Sequence, residues 1–338
     1  MSALGLGGMP VLAAPMAGGP STPALVVAAA AVGSYGFLPG GYRSAAQFAD
    51  DLAAVRASTE DVGVNLFVPD DGDVDRAAVL AYRDRLAPEL ERAGLAVPEP
   101  RWADDDDWQA KLDLLVERPV PWVSFTFGLP GPETAARLRR AGSRLLATVT
   151  DPGEARAAAA LGVDGLVVQS AAAGGHRGTF DQHRTPDDTP LVDLVAGARA
   201  ATGLPVVAAG GVAGAGQVAS LLHAGADAVQ VGTALLLADE AGTRPVHRAA
   251  LADVAQFPET VTMRAFTGRV ARGLRNRFSA TYDAAAPAGY PTVHHLTAPP
   301  RAWAAANGEP HLLHLWAGTG HRSVRSGPAG AVLASLVP

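Results

Sequence analysis

Short apolar runs alternate with longer segments of alanine, leucine and arginine over the first two-thirds of the chain. The runs are almost continuously apolar, which is typical of parallel strands buried on both faces. The longer segments have the length and composition of helices. Strands are predicted at residues 11–14, 35–38, 63–67, 122–127, 144–149, 165–169, 205–208 and 228–231.

A predicted helix follows every predicted strand. Ser21 or Thr22 is expected to cap the first helix, with Pro23 at its first position. Two helices follow the third strand, and the acidic run 104–107 is expected to cap the second of them rather than to bind a metal. Helices are predicted at residues 22–32, 45–57, 74–93, 105–117, 133–141, 153–161, 191–202 and 216–224, with another beginning at Thr233.

Eight strand–helix units are what a closed α/β barrel requires. A doubly wound sheet is disfavoured because the turn after the first strand, residues 14–19, lacks the Gly-x-Gly-x-x-Gly spacing. We therefore predict a (β/α)8 TIM barrel over residues 1–245, with inserted helices at about 70–118. Residues 246–338 are expected to form a C-terminal segment of helices and loops, packed near the barrel mouth and completing the substrate side.

Composition narrows the possible functions. Hydrophobic residues make up 48% of the 338 residues and charged residues 18%, enough for a large core. A net charge of -6 disfavours nucleic acid and anionic membrane as partners. The absence of cysteine excludes disulfides, thiolate nucleophiles and Cys-ligated metals. The longest apolar run, residues 24–32, is too short to span a bilayer, and no signal peptide pattern is present, so a cytoplasmic protein is expected.

The ends of the seventh and eighth strands carry glycines where a TIM barrel holds phosphate. Glycine lets backbone N–H groups approach an anion closely, and a threonine at the start of a helix adds a hydroxyl donor. The alternative is a pair of ordinary tight turns. The predicted phosphate-binding residues are Gly210, Gly211, Gln230, Val231, Gly232 and Thr233.

Other strand ends suit a flat ring with a polar edge. The small residues Ala17 and Gly18 would let such a ring lie against the backbone, and Met16 could rest on it. Asn65 and Gln169 can both donate and accept hydrogen bonds at their strand ends. Each of these features alone could equally be an ordinary turn.

The loop after the sixth strand places His176 behind Gly174 and Gly175 at the predicted barrel mouth. An imidazole titrates near neutral pH, so His176 is the candidate catalytic residue for accepting a proton from substrate. Arg177 could pair with an anionic substrate or with Asp181, or lie at the surface.

The remaining histidines carry weaker hypotheses. A zinc site built from histidines of the C-terminal segment, which we call the tail, is disfavoured because no carboxylate partner is placed with them. No metal is therefore expected. His294 and His295 could instead fold over the barrel mouth and join the substrate pocket. His321 is expected in a surface turn, and the roles of His311 and His314 stay open.

Five of these motifs, in this order and spacing, resemble the nitronate monooxygenase (2-nitropropane dioxygenase) family. The resemblance covers nearly the whole chain and extends to residues 266–273 and 315–320. It implies FMN bound non-covalently at the barrel mouth, His176 as the catalytic histidine, and Ser124 and Thr126 near the substrate. It also implies oxidation of a nitronate, either an alkyl nitronate or propionate 3-nitronate, with O2 to a carbonyl compound and nitrite. The five motifs are residues 14–23, 63–67, 173–178, 208–211 and 230–233.

One position departs from the family pattern. A glutamate usually precedes Ala-Gly-Gly-His, and here Ala172 stands in its place. Two alternative enzymatic functions are therefore kept: another flavin-dependent oxidation in specialised metabolism, and an NADH-dependent enoyl-thioester reductase of the same barrel type. A barrel that binds FMN or another phosphate ligand without turnover is the non-enzymatic alternative. The expected partners are a small anionic substrate and O2, and the chain is expected to be a monomer or a homodimer.

Overall fold

The computed structural model describes residues 4–70, 72–185 and 187–338. Residues 1–3, 71 and 186, which the predicted barrel range includes, lie outside the described residues. The strands in chain order are β1 (Val11–Ala13), β2 (Gly36–Pro39), β3 (Val62–Phe67), β4 (Trp122–Thr126), β5 (Arg144–Val149), β6 (Gly165–Gln169), β7 (Gly175–His176), β8 (Val206–Ala209), β9 (Ala228–Val231), β10 (Thr260–Met263) and β11 (Ala271–Leu274).

A closed parallel barrel is formed by β1 to β6 together with β8 and β9. The first strand pairs with β2 on one side and with β9 on the other, so the sheet has no free edge. These strands are buried along nearly their whole length, which explains their continuous apolar sequences. The structure thus confirms the predicted TIM barrel.

The helices surround the barrel and extend its mouth. Two of them, α3 and α4, come between β3 and β4. The helices are α1 (Pro23–Ala31), α2 (Ala45–Arg56), α3 (Arg76–Arg92), α4 (Trp108–Glu117), α5 (Pro132–Arg140), α6 (Pro152–Leu161), α7 (Leu191–Thr202), α8 (Ala215–His223), α9 (Pro245–Ala252), α10 (Arg277–Tyr282), α11 (Thr292–Asn307) and α12 (Ala329–Ser335).

The predicted helix beginning at Thr233 was wrong. Only a short 3-10 helix forms at Thr233–Leu235, and the next α-helix begins at Pro245. The outer place beside β1 is taken by α12, whose Leu333 belongs to the barrel core. A Cβ at Gly330 would lie 2.6 Å from Val32 Cγ1, so this glycine permits the close approach to the end of α1. The last helix of the chain therefore completes the ring.

The acidic run also behaves differently from the prediction. Asp107, at the start of α4, has a left-handed backbone and makes no capping hydrogen bond. Its carboxylate instead accepts the N–H of Ala45 at 2.9 Å, and Asp106 pairs with buried Lys111 at 2.9 Å. The run therefore ties the α4 start to the loop before α2, because unpaired N–H groups there compete for the carboxylates.

A small antiparallel sheet lies beside the barrel mouth, in the order β10-β11-β7. His176 of β7 is opposite Ala271 of β11, so the tail holds the loop after β6 in place. Behind this sheet lies a separate apolar core built from the tail and α3, with Phe266 and Phe278 stacked at 4.5 Å. The C-terminal segment thus has its own packing and provides part of the mouth.

The barrel interior is filled by side chains that include Phe37, Leu146 and Val167. Phe37 fits because the neighbouring strand carries Gly63, where a Cβ would lie 2.4 Å from Phe37 Cε1. The Gly63→Ala variant is expected to lower the free energy of unfolding by about 1–3 kcal/mol through overpacking. Thermal unfolding followed by circular dichroism measures this loss.

Gly131→Ala is the matched control, because a Cβ there would meet no atom within 4 Å. We expect its unfolding to stay close to that of the wild type. Equal stability of the two variants would show that the interior yields around Phe37, contrary to the close packing described above.

Candidate active site

A cavity of about 210 Å³ opens at the carboxyl ends of the barrel strands. Its walls come from strand ends, from the loop that carries His176, and from tail residues that include Trp316. None of its described lining residues is an aspartate or glutamate, and Arg244 is the one lysine or arginine among them. The cavity therefore combines largely apolar walls with a basic side chain and no acidic one, which suits an anionic ligand.

One end of the cavity is lined by the glycines that follow β8 and β9. Gly210 and Gly211 have φ values of 119° and 72°, which a residue with a side chain rarely adopts. Within the described chain, the backbone N–H groups of Gly211 and Thr233 donate no hydrogen bond. The hydroxyl of Thr233 accepts the N–H of Gly318 at 2.9 Å, which leaves its proton free to donate. Unpaired donors of this kind suit an anionic ligand, and we call Gly210, Gly211 and Thr233 the glycine cradle.

A row of polar side chains crosses the ends of β3, β4 and β5. Asn65 Nδ2 donates to Ser124 Oγ at 2.9 Å and to Thr126 Oγ1 at 3.0 Å, while Thr126 and Thr148 share a 3.1 Å hydrogen bond. The Asn65 amide is thereby oriented, and its oxygen accepts no hydrogen bond within the described chain. This row can recognise the polar edge of a flat ring.

Gln169 has a second role besides lining the cavity. Its Nε2 donates to the carbonyl of His176 at 3.0 Å, and its Oε1 accepts the N–H of Gly178 at 2.8 Å. The side chain thus forms hydrogen bonds with the backbone on both sides of Arg177. Since Gln169 ends β6, the barrel sets the position of the His176 loop.

His176 is held by Thr267 from the tail. Its Nε2 lies 2.9 Å from Thr267 Oγ1, and its Nδ1 has no hydrogen-bond partner within the described chain. Phe127, Tyr290 and Trp316 present ring edges or faces to the imidazole, with centroids 5.7, 5.8 and 5.5 Å away. The ring therefore has a defined orientation before any ligand binds.

The surroundings keep this imidazole neutral. Burial, together with the guanidinium groups of Arg269 and Arg301, lowers the pKa of His176 from 6.5 to about 3. Burial also lowers the pKa of each arginine, to about 10, so both stay charged at neutral pH. Arg301 has no ion pair in the described chain, and Asp70 is 3.5 Å from Arg269. His176 is consequently a weak base in an electropositive setting.

Most of the predicted ligand-binding residues line this cavity. Ser124 is buried behind Asn65 and is not among the described lining residues, since its hydroxyl donates to the Val64 carbonyl. The cavity lining includes Met16, Ala17, Gly18, Asn65, Thr126, Gln169, Gly174, Gly175, His176, Gly210, Gly211, Gln230, Val231, Gly232 and Thr233.

His294 and His295 are also outside the main cavity, in contrast to the hypothesis of a shared substrate pocket. The ring of His294 stacks on Tyr42, and His295 Nε2 lies 2.7 Å from Asp104. Both histidines and these two partners line a second, smaller pocket. Arg177 is buried with its guanidinium nitrogens unpaired, and His321 is buried rather than in a surface turn.

Several functional side chains were not identified from the sequence. Thr148 lies one residue before the end of β5, so the strand-end argument that found Asn65 could have found it. Thr267 and Arg269 are in the tail segment 266–273, whose resemblance to the family assigned no role to either residue. Trp316 lies in the segment 315–320, to which the resemblance likewise assigned no role. Arg244, His247 and His314, which also line the cavity, carried no comparable signal.

Two other features were searched for in the described residues. No group of three or more histidine, aspartate or glutamate side chains there could hold a metal ion. None of the described helices combines the length and the apolar character needed to cross a membrane.

Comparison with known proteins agrees with this geometry. A family model described as nitronate monooxygenase matches residues 5–338. A probable nitronate monooxygenase of Staphylococcus aureus (strain Newman) is 32% identical over 336 residues, covering 97% of this chain and 93% of the relative. The structure of a nitroalkane oxidase from Streptomyces ansochromogenes has a TM-score of 0.93 at 44% identity, covering 99% of this chain and 96% of that one. FabK from Thermotoga maritima, with a TM-score of 0.75, 21% identity and coverage of 99% and 93%, shares the fold.

The lowered pKa of His176 has a consequence for stability. The unfolded chain takes up a proton on this residue near pH 6.5, whereas the folded chain does so only near pH 3. The free energy of unfolding is therefore expected to fall as the pH drops from 6.5 toward 3. Urea unfolding at a series of pH values measures this slope, and His176→Asn should make it shallower.

Nuclear magnetic resonance provides the direct check on His176. Its ring is expected to stay neutral between pH 5 and 8. A midpoint near 6.5 for His176 would contradict the described burial and cationic surroundings.

Proposed function

The chain belongs to the nitronate monooxygenase family, whose members are flavin-dependent enzymes, and on that premise we propose that it oxidises an anionic nitronate. O2 is the co-substrate, and the products are a carbonyl compound and nitrite. The cofactor we propose is FMN. Family membership confirms the resemblance inferred from the sequence motifs.

The observation that carries this proposal is the charge of the cavity. His176 is neutral, two buried guanidinium groups lie near it, and no carboxylate lines the described walls. An anion is stabilised in such a place because the cations are already desolvated and oriented. A nitronate carries the negative charge that the cavity lacks.

The cavity also fits FMN. The glycine cradle at Gly211 and Thr233 supplies unpaired donors for a phosphate, and the row from Asn65 to Thr148 supplies a polar edge for a flat ring. Met16 lines the same cavity with an adaptable apolar side chain. When bound, the flavin supplies electron transfer between substrate and O2, while the protein contributes position and electrostatics.

We assign His176 the role of orienting the nitronate. The single proton of the Thr267 hydroxyl can be donated to the Arg269 carbonyl, 3.2 Å away, or to His176 Nε2. Donation to Nε2 leaves the His176 proton on Nδ1, where it can be donated to an anionic nitro oxygen. A hydrogen bond to a charged group contributes about 1.5–3 kcal/mol, so this arrangement favours the anionic substrate.

Oxidation of the neutral nitroalkane is the second candidate, because the solved relative from Streptomyces ansochromogenes is described as a nitroalkane oxidase. That reaction needs a base to remove a proton from carbon. With a pKa of about 3, His176 is poorly suited to this step. The enoyl-thioester reductase alternative has support from the shared barrel alone.

The test compares three reactions of the FMN-loaded enzyme. Nitrite release in air from an alkyl nitronate and from propionate 3-nitronate is expected to exceed that from the matching nitroalkanes in kcat/KM. Anaerobic mixing with NADH is expected to leave the flavin oxidised. Rapid bleaching by NADH without nitrite release would instead favour the reductase, and no turnover with any substrate would favour a binding protein.

Thr267 variants test the role given to His176. Thr267→Val removes the hydroxyl beside Nε2 and is expected to lower kcat/KM for the nitronate about tenfold or more, since a charged hydrogen bond is weakened. Thr267→Ser keeps the hydroxyl and should retain most of the activity. Nitrogen NMR of the complex should show the proton on Nδ1, and a proton on Nε2 would contradict the assignment.

A second prediction concerns the cofactor. A Cβ at Gly211 would lie 2.7 Å from Ala172 Cβ and 2.8 Å from Thr319 Oγ1, and the residue has a positive φ. Gly211→Ala is therefore expected to displace the cradle and to lower the FMN bound per chain, measured by absorbance of the purified protein. Gly216→Ala, in helix α8 with no atom within 4 Å of its Cβ, is the control. Full occupancy in Gly211→Ala would contradict the cradle.

A further inference from the structure

A smaller pocket lies beyond one wall of the main cavity. Tyr42 and Phe67 line both spaces, so their side chains form the wall that separates them. The outer pocket is otherwise lined by residues 68–70 after β3, by the aspartates at 104–106 before α4, and by the tail residues Tyr290, Pro291, His294 and His295. The two spaces are therefore separated only by these aromatic side chains.

The wall is a packed aromatic group rather than a loose side chain. The rings of Tyr42 and His294 are stacked with centroids 4.3 Å apart and an angle of 2°. The edge of Phe67 meets Tyr42 at 5.5 Å. His294 is itself held by buried Arg301, whose Nη2 donates to its carbonyl at 2.7 Å and lies 3.2 Å from its Nδ1.

The backbone places Tyr42 in this wall. Its φ of 63° is in the left-handed region, which costs a residue with a side chain free energy. The N–H of Tyr42 is accepted by Asp106 Oδ1 at 3.0 Å, and Asp106 is paired with buried Lys111 at 2.9 Å. The insertion that carries Asp106 and Lys111 thus holds Tyr42 in an unfavourable conformation at the cavity.

We propose that Tyr42 is a specificity-determining residue that closes the substrate cavity toward the insertion and limits the length of the substrate's carbon chain. The inference rests on the proposed function, because that function directs the anionic head of the substrate to His176. The carbon chain of the substrate, which extends from this head, then contacts Tyr42 and Phe67. A small residue at position 42 joins the two spaces and accepts a longer chain.

The experiment uses FMN-loaded protein and straight-chain alkyl carboxylates of increasing length, which are anions without a nitronate group. Calorimetry gives the affinity of each for the wild type, Tyr42→Ala and Tyr42→Phe. Each buried methylene is expected to improve affinity about fourfold, until the chain reaches the wall. In Tyr42→Ala the gain should continue past the wild-type limit, whereas Tyr42→Phe, which retains the ring, should stop at that limit.

The same limit in Tyr42→Ala and the wild type would overturn the proposal. Tyr42→Gly is the second variant, because glycine adopts the positive φ without strain and so guards against failure to fold. The chain-length limit for nitrite release from alkyl nitronates should shift in parallel. A shifted binding limit with no nitronate oxidation by any form would refute the proposed function while leaving the role of Tyr42 intact.

Discussion

Closure of the barrel through pairing of β1 with β9 is the constraint on which the rest of the structure depends. With all eight strands parallel, their carboxyl ends meet in one ring, whichever part of the chain they come from. Met16, Asn65, Gln169 and Thr233 are far apart in sequence and line one cavity for this reason. The apolar strand interiors stabilise the closed sheet, and the strand ends are left free to carry polar groups.

The tail contributes the buried positive charges beside this ring of strand ends. Arg269 and Arg301 are buried beside the mouth; Asp70 lies 3.5 Å from Arg269, and Arg301 has no ion pair in the described chain. Desolvating a guanidinium group is costly, and for Arg301 the ordinary compensation by an acidic partner is lacking. An anionic ligand would provide that compensation. Burial, together with the same charges, lowers the pKa of His176, so the packing of the tail accounts for the weak basicity of the imidazole.

The sequence allowed the cavity residues at strand ends to be predicted, and those in loops and the tail much less. Strand-end residues such as Asn65 and Gly211 could be placed because the carboxyl ends of parallel strands all lie at the same end of the barrel. Thr267, Tyr42 and Trp316 could not be placed, because loops and tail segments have no period that relates them to the barrel. The helix predicted at Thr233 failed for a similar reason: the chain leaves the barrel after a single short turn, and α12 takes the outer place at the end of the sequence.

By itself the sequence determined the class of fold, the order of the strands and the chemistry available at their ends. These follow from local patterns of apolar and polar residues, which depend on neighbours a few positions away. Tertiary structure alone decided the protonation of His176, the partner of its Nε2 and the wall formed by Tyr42 and His294. Each depends on burial and charge contributed by residues that are distant in sequence, such as Thr267 and Arg301, and long-range packing of this kind leaves no local pattern.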